Sequence, residues 1–155
     1  MKPYTIKKIG LEDYPKCGVI WDMAACPYTH TFVAQIEAGN REVYILTVNG
    51  AYIAECDLVY DNPEYGTIPG KRLYLSRLIV KKDERGRGYG KAISQYVLNV
   101  AAEKGFLEIA LGVNCDNTAA VGLYKSLGFT VYEKAEDKDG LFYRMEKRLC
   151  ANPKN

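Results

Sequence analysis

The stretch Leu73-Tyr-Leu-Ser-Arg-Leu-Ile-Val80-Lys-Lys-Asp-Glu-Arg85-Gly-Arg-Gly-Tyr-Gly-Lys91 carries three local signals in one short run. Residues 73–80 are rich in β-formers. Lys81 to Glu84 is polar, and Arg85 to Gly90 is glycine-rich. From Tyr89 onward, Tyr89, Ala92, Ile93, Tyr96, Val97, Val100 and Ala101 recur at the spacing of a helical apolar stripe. The unit reads strand, glycine turn, helix.

A turn of this kind binds anions. Glycine permits close backbone approach and left-handed dihedrals. The first N–H groups of the following helix have no intrahelical partner and carry the positive end of its dipole. Arg85, Arg87 and Lys91 add full charges, so a diphosphate suits the turn. The spacing is neither the Gly-x-Gly-x-x-Gly of a dinucleotide fold nor the Gly-Lys-Ser/Thr ending of a nucleotide P-loop.

The 155 residues suit one domain, expected over residues 1–150 with 151–155 as a frayed tail. Apolar residues make up 48% of the chain, enough for a core. The formal charge is only +2, and no dense basic block argues for nucleic acid or a membrane surface. No apolar run approaches membrane-span length and no signal-peptide pattern opens the chain, so the expected location is the cytoplasm. The five cysteines are scattered, without a Cys-x-x-Cys pair, and there is one histidine, His30. They read as reduced thiols, with no metal site expected. A nucleophilic cysteine with His30 as its base is the alternative.

Along the chain, Tyr4–Ile9 reads as a strand. A helix is expected from Asp13 to about Met23, with Pro15 in its first turn. A short helix from Thr29 or Thr31 turns Phe32, Val33 and Ile36 inward and ends at Gly39. Two strands, Glu42–Val48 and Tyr52–Tyr60, flank the hairpin dipeptide Asn49-Gly50. A ten-residue loop, Asp61 to Gly70, precedes the stretch quoted above. After the helix at 88–104 come a buried strand to Val113, a helix capped by Asn117 and stopped at Gly128, and two strands, 130–134 and 141–148. The order predicts an α/β domain: one mixed, mostly antiparallel sheet with a central parallel β-α-β unit over 73–113.

Two motifs carry a resemblance. Arg85-x-x-Gly88-x-Gly90 is the first. The second is Val113 followed by Asn117, Ala120, Leu123-Tyr124 and Gly128-Phe129. Together, in this order and one helix and one strand apart, they resemble the GCN5-related N-acetyltransferases, the GNAT superfamily. The resemblance covers the element order of the whole chain and, in motif, residues 73–129.

The resemblance implies that the strands ending at Val80 and Val113 splay apart to hold acetyl-CoA. Its pantetheine arm would pair with the backbone of Leu78, Ile79 and Val80. Its diphosphate would sit on the amides of Arg85, Gly86, Arg87, Gly88, Tyr89, Gly90 and Lys91. Asn117 would contact the pantetheine or adenylate arm, and Tyr124 would stand near the sulfur as general acid. An oxyanion would meet a backbone N–H near Leu78. A homodimer is a further expectation carried by the family alone.

The implied reaction is direct attack of a primary amine on the thioester. A lysine-like amine is almost wholly protonated at neutral pH and must first lose a proton. Residues 73–78 contain no acid, a departure from many members of the family. Glu55, sharing a strand face with Asp57, is the first candidate base; solvated carboxylates on an exposed hairpin face are the alternative. Trp21, Tyr28, His30, Tyr60, Asp61, Glu64 and Tyr65, with Glu55 and Asp57, fall in segments that flank the acceptor mouth in this family. Acidic and aromatic groups together suit a cationic amine. A small-molecule amine is the expected acceptor. A protein N-terminus or lysine remains open, as do a non-catalytic acyl-CoA-binding module and a domain that shares only the fold.

Overall fold

Val, Ile, Leu and Tyr alternate or run together through seven segments, and each forms a strand in the computed structural model, which describes residues 1–149. The strands are β1 (Thr5–Ile9), β2 (Arg41–Val48), β3 (Ala51–Val59), β4 (Arg72–Val80), β5 (Glu108–Asn114), β6 (Thr130–Asp137) and β7 (Gly140–Arg148). They make one sheet in the order β1-β2-β3-β4-β5-β7-β6. β1 with β2, β2 with β3, β5 with β7 and β6 with β7 pair antiparallel, and β4 pairs with β5 in parallel. The mixed, mostly antiparallel α/β fold expected from the sequence is therefore present. Three helices accompany it: α1 (Thr29–Glu37), α2 (Tyr89–Glu103) and α3 (Thr118–Ser126). The expected frayed tail, 151–155, lies outside the described residues.

The chain divides into two compact units, one of Met1–Val59 with Arg77–Val97, the other of Tyr60–Ser76 with the residues from Leu98 onward. In the first, Asn49 (φ 50°) and Gly50 (φ 81°) turn β2 into β3, the paired left-handed dihedrals a tight hairpin requires. The sheet is covered on one side by a cluster that includes Tyr14, Cys17, Ile20 and Phe32, with Trp21, Val33 and Ile36 packed against it. The segment expected as a helix from Asp13 is only a 3₁₀ turn, Tyr14–Val19. Asp13 does not cap it; its carboxylate accepts from Lys16 Nζ at 2.7 Å.

In α2, Tyr89, Ile93, Val97 and Ala101 are buried as the stripe predicts. Tyr96, also expected inward, is 39% exposed, while Ser94 and Leu98 are buried in its place. The stripe is rotated by part of a turn. β1, at the edge of this unit, carries Lys7 and Lys8, and Lys8 pairs with Glu42 at 3.2 Å.

In the second unit β5 pairs with β7 and β7 with β6. Arg72 ties three strands together: Nε to Glu108 at 2.8 Å and Nη2 to Glu146 at 2.7 Å. The edge strand β6 is exposed along most of its length and carries Glu133, Lys134, Glu136 and Asp137, with a register shift between Val131 and Glu133. The 61–70 loop contains a 3₁₀ turn, Pro63–Tyr65, opened by Asn62, whose side chain accepts from Glu64 N. No helix among the described residues is long and apolar enough to cross a membrane.

Candidate active site

The parallel ladder between β4 and β5 is short. It runs from Arg72↔Glu108 to Tyr74↔Ala110, whereas β4 itself continues to Val80. Along β4 the burial alternates through Leu73 and Leu75, then becomes uniformly intermediate from Ser76 onward. The change begins beside Arg77, whose φ is +58°. A side chain in that left-handed region costs about 1–3 kcal/mol and persists only where its surroundings hold it.

Past β4, Lys81 N donates to Ile53 O at 2.8 Å, and a 3₁₀ turn, Lys82–Glu84, leads into the glycines. Gly86 (φ 78°) and Gly88 (φ 89°) take the left-handed backbone that lets α2 begin at once at Tyr89. A Cβ added at Gly86 would meet nothing within 4 Å, and one at Gly88 only Met1 Sδ at 3.7 Å. The face of the turn is open. Arg85 Nε donates to Val80 O at 3.0 Å, and Arg87 pairs with Glu84 at 3.2 Å. Both arginines are therefore drawn onto the turn that the sequence assigned to an anion.

Asn117 opens α3 as predicted, its Oδ1 accepting from Ala120 N at 3.3 Å. Tyr124, two turns on, is 6% exposed, and its ring meets Phe129 edge-on at 5.7 Å.

Glu55 and Asp57 are neither solvated nor on an exposed face; both are 0% exposed. That corrects the alternative reading of the hairpin, and the reason is neutralisation by distant residues. Asp57 Oδ2 accepts from Arg41 Nη1 at 2.6 Å, with both side chains fully buried. Arg41 Nε donates in turn to Gln35 at 2.8 Å. Glu55 Oε1 accepts from Trp21 Nε1 at 2.8 Å, and Cys17 is buried near the two carboxylates. Glu55 Oε2 and Asp57 Oδ1 have no hydrogen-bond partner. Burial, reinforced by Glu55 and opposed by Arg41, holds the Asp57 carboxyl well above the usual carboxylate range. Glu55, expected as the base, is thus enclosed and engaged, with no exposed surface from which to reach an acceptor.

The same enclosure disposes of a nucleophilic Cys17 or Cys56. Burial first, then the neighbouring carboxylates, push both thiols up, away from the thiolate a nucleophile needs. The four described cysteines are free. Among the described residues no group of three or more His, Cys, Asp or Glu side chains is arranged to hold a metal ion.

Two cavities matter, one in each unit. The first, about 790 Å³, has walls that include Pro15, Ile20, Trp21, Met23 and Val33, with Asp22 its one charged residue. The second, about 530 Å³, is lined by Tyr65, Tyr74, Tyr132 and Phe142 and by the carboxylates Glu64, Glu136 and Asp137. Tyr65 and Tyr74 stack with centroids 4.6 Å apart. The Tyr74 hydroxyl lies 3.1 Å from where a Gly112 Cβ would stand, so glycine is what admits it. Burial, then Tyr65, pushes Tyr74 up to about 12, so it stays a neutral phenol. Arg144, also in the wall, is engaged by Glu133 at 3.2 Å and lies over Phe142. Of these groups the sequence reading named Glu64 and Tyr65; Tyr74, Tyr132 and Phe142 were missed. Gly112 inside a strand was the available signal of close approach.

A mixed sheet with a glycine cradle at the end of a central parallel strand defines the class to which this domain belongs. The model of the Acetyltransferase (GNAT) family matches residues 8–129, and the chain belongs to that family. Thialysine N-epsilon-acetyltransferase of Sus scrofa is 40% identical over 110 residues, covering 71% of this chain and 61% of that protein. The chain thus spans less than two thirds of that relative's length. The ribosomal-protein-S18-alanine N-acetyltransferase of Escherichia coli superposes with a TM-score of 0.79 over 99% of this chain and 98% of that one, at 22% identity. The Salmonella typhimurium chain yncA, solved with its cofactor acetyl-CoA, has a TM-score of 0.70 at 20% identity, covering 97% of this chain and 96% of that one. These two likenesses concern the fold.

Proposed function

We propose that the chain is an acetyl-CoA-dependent N-acetyltransferase acting on the primary amine of a small molecule. The observation that carries the reading is the open glycine turn at the head of α2. Its free N–H groups, the dipole and the charges of Arg85, Arg87 and Lys91 suit a diphosphate. Bound acetyl-CoA supplies an activated thioester carbonyl. The short β4–β5 ladder supports a role for the backbone of Leu78, Ile79 and Val80 along the pantetheine arm. Because Val80 O already accepts from Arg85, the N–H groups are the more available part of that rail. The Asn117 carbonyl is used in its cap, so its amide N–H groups are what it would offer. Tyr124 would donate the proton that accompanies departure of the thiolate.

The acceptor is assigned to the tyrosine-lined cavity of the second unit. Its carboxylates and aromatic faces suit a cationic amine better than the apolar walls of the first cavity do. Glu64, Glu136 and Asp137 are the groups available there to receive the amine proton, the part first assigned to Glu55. The free thiols are in keeping with a cytoplasmic setting.

The deciding experiment is an acetylation screen read by mass shift, with polyamines, amino acids, aminoglycosides, and peptides bearing free N-termini or internal lysines. A small amine turned over faster than every peptide is the expected result; the reverse ranking makes the chain a protein acetyltransferase. For the best acceptor, Tyr65→Ala should raise KM about 2- to 30-fold with kcat nearly unchanged, the range of one cation–π contact.

A further inference from the structure

Among the described residues only two non-glycine positions have a left-handed backbone, and Asn49 sits in a hairpin turn that demands it. Arg77 has no such excuse. It lies inside β4, and the alternation of buried side chains along that strand ends beside it. A left-handed residue within a strand re-aims the backbone that follows, as a bulge does.

The side chain shows what holds the backbone there. The Arg77 guanidinium carbon stands 4.2 Å from the centre of the Trp21 ring and 5.2 Å from that of Phe32. Both rings are themselves fixed. Trp21 donates its indole N–H to Glu55 at 2.8 Å, and Phe32 faces the Arg41 guanidinium at 4.3 Å. Arg41 is locked in turn by Asp57 and Gln35. The buried carboxylates therefore anchor a rigid aromatic platform, and the platform grips Arg77.

We propose that Arg77 is a positioning residue: stacked on Trp21 and Phe32, it clamps β4 in its left-handed turn and so aims the backbone N–H groups of Leu78 and Val80 at acetyl-CoA. The inference rests on the acetyl-CoA reading above and adds a side chain that acts through the backbone rather than by touching the ligand.

The chain has a single tryptophan, so its fluorescence reports the platform alone. Arg77→Ala should shift the Trp21 emission and weaken acetyl-CoA binding about tenfold or more, with kcat at saturation changed less than about threefold. Arg77→Gly loses the grip but also the steric objection to a positive φ, so it should recover part of that affinity. Arg77→Lys keeps the charge without the planar stack and should resemble Arg77→Ala. Wild-type affinity in Arg77→Lys would mean attraction by charge and would overturn the clamp, as would wild-type affinity in a folded Arg77→Ala. If Arg77→Ala does not fold, Trp21→Leu removes the platform and leaves β4 intact, with the same expected loss. If the wild type itself does not bind acetyl-CoA, the functional reading fails separately. Backbone amide shifts of Leu78–Val80 then decide the clamp: movement in Arg77→Ala supports it, and none overturns it.

Discussion

The indole Nε1 of Trp21 donates a 2.8 Å hydrogen bond to Oε1 of Glu55, 34 residues along the chain and wholly shielded from solvent. The bond gives Glu55 a different task from the one its place on a hairpin strand suggests. It anchors an aromatic ring beside the buried Arg41–Asp57 pair.

Glu55→Gln keeps an acceptor for Trp21 and removes the Glu55 charge that helps to raise Asp57. Asp57 is raised in the folded state, so its contribution to stability is complete below the unfolded value, about 3.9, and is lost as pH climbs through the folded value. Wild-type urea midpoints should therefore fall as pH is raised above about 4, and those of Glu55→Gln should fall less. Parallel curves would mean that Glu55 does not raise Asp57. Turnover should stay within about threefold of wild type, whereas a general base would cost about 10² or more.

Arg41→Ala leaves Asp57 buried with its guanidinium partner gone. Breaking one side of a buried pair costs about 3–5 kcal/mol, far more than the exposed Lys16–Asp13 pair can contribute. Urea denaturation at neutral pH should show the loss, and it should shrink as pH is lowered and Asp57, raised further without Arg41, takes up a proton. A loss under about 1 kcal/mol would mean that water reaches the pair.

Gly88→Asp places a carboxylate, and a side chain at φ 89°, on the open face of the turn. Acetyl-CoA affinity should fall at least about tenfold, or 1.4 kcal/mol, by calorimetry. Gly88→Ala, which imposes the backbone strain without the charge, should lose less. Unchanged affinity in a folded Gly88→Asp would take the turn out of the binding site.

Tyr124→Phe preserves the ring against Phe129 and removes only the hydroxyl. A thiolate leaves tolerably unaided, since its conjugate acid has a pKa near 8.5, so the donor assists rather than decides. The expected loss in kcat is about 10- to 10³-fold with acetyl-CoA affinity retained. An unchanged kcat with a good amine would leave Tyr124 as packing.

The elements that could be read from sequence have local causes. Asn49-Gly50, the glycines opening α2 and the Asn117 cap each rest on the chemistry of a few adjacent residues, and all three stand where expected. The segment after Asp13 misled because its capping carboxylate prefers Lys16, and Gly18 with Val19 and Ile20 does not sustain a longer helix. Glu55 and Asp57 misled for a non-local reason. Alternation with apolar neighbours is the mark of a half-wet strand, and only partners 34 and 16 residues away make full burial tolerable. Arg77 left no trace in sequence, because arginine has no preference for a left-handed backbone and tertiary stacking alone imposes it.

The two rims of the sheet bear on how the protein behaves when crowded. An unfinished strand edge is a template on which another chain can add. Here β1 presents Lys7 and Lys8, while β6 presents Glu133, Lys134, Glu136 and Asp137 and shifts register after Val131. An incoming strand would have to strip water from these charges and match an interrupted ladder. Pairing along either margin is disfavoured, which counts against edge-to-edge growth.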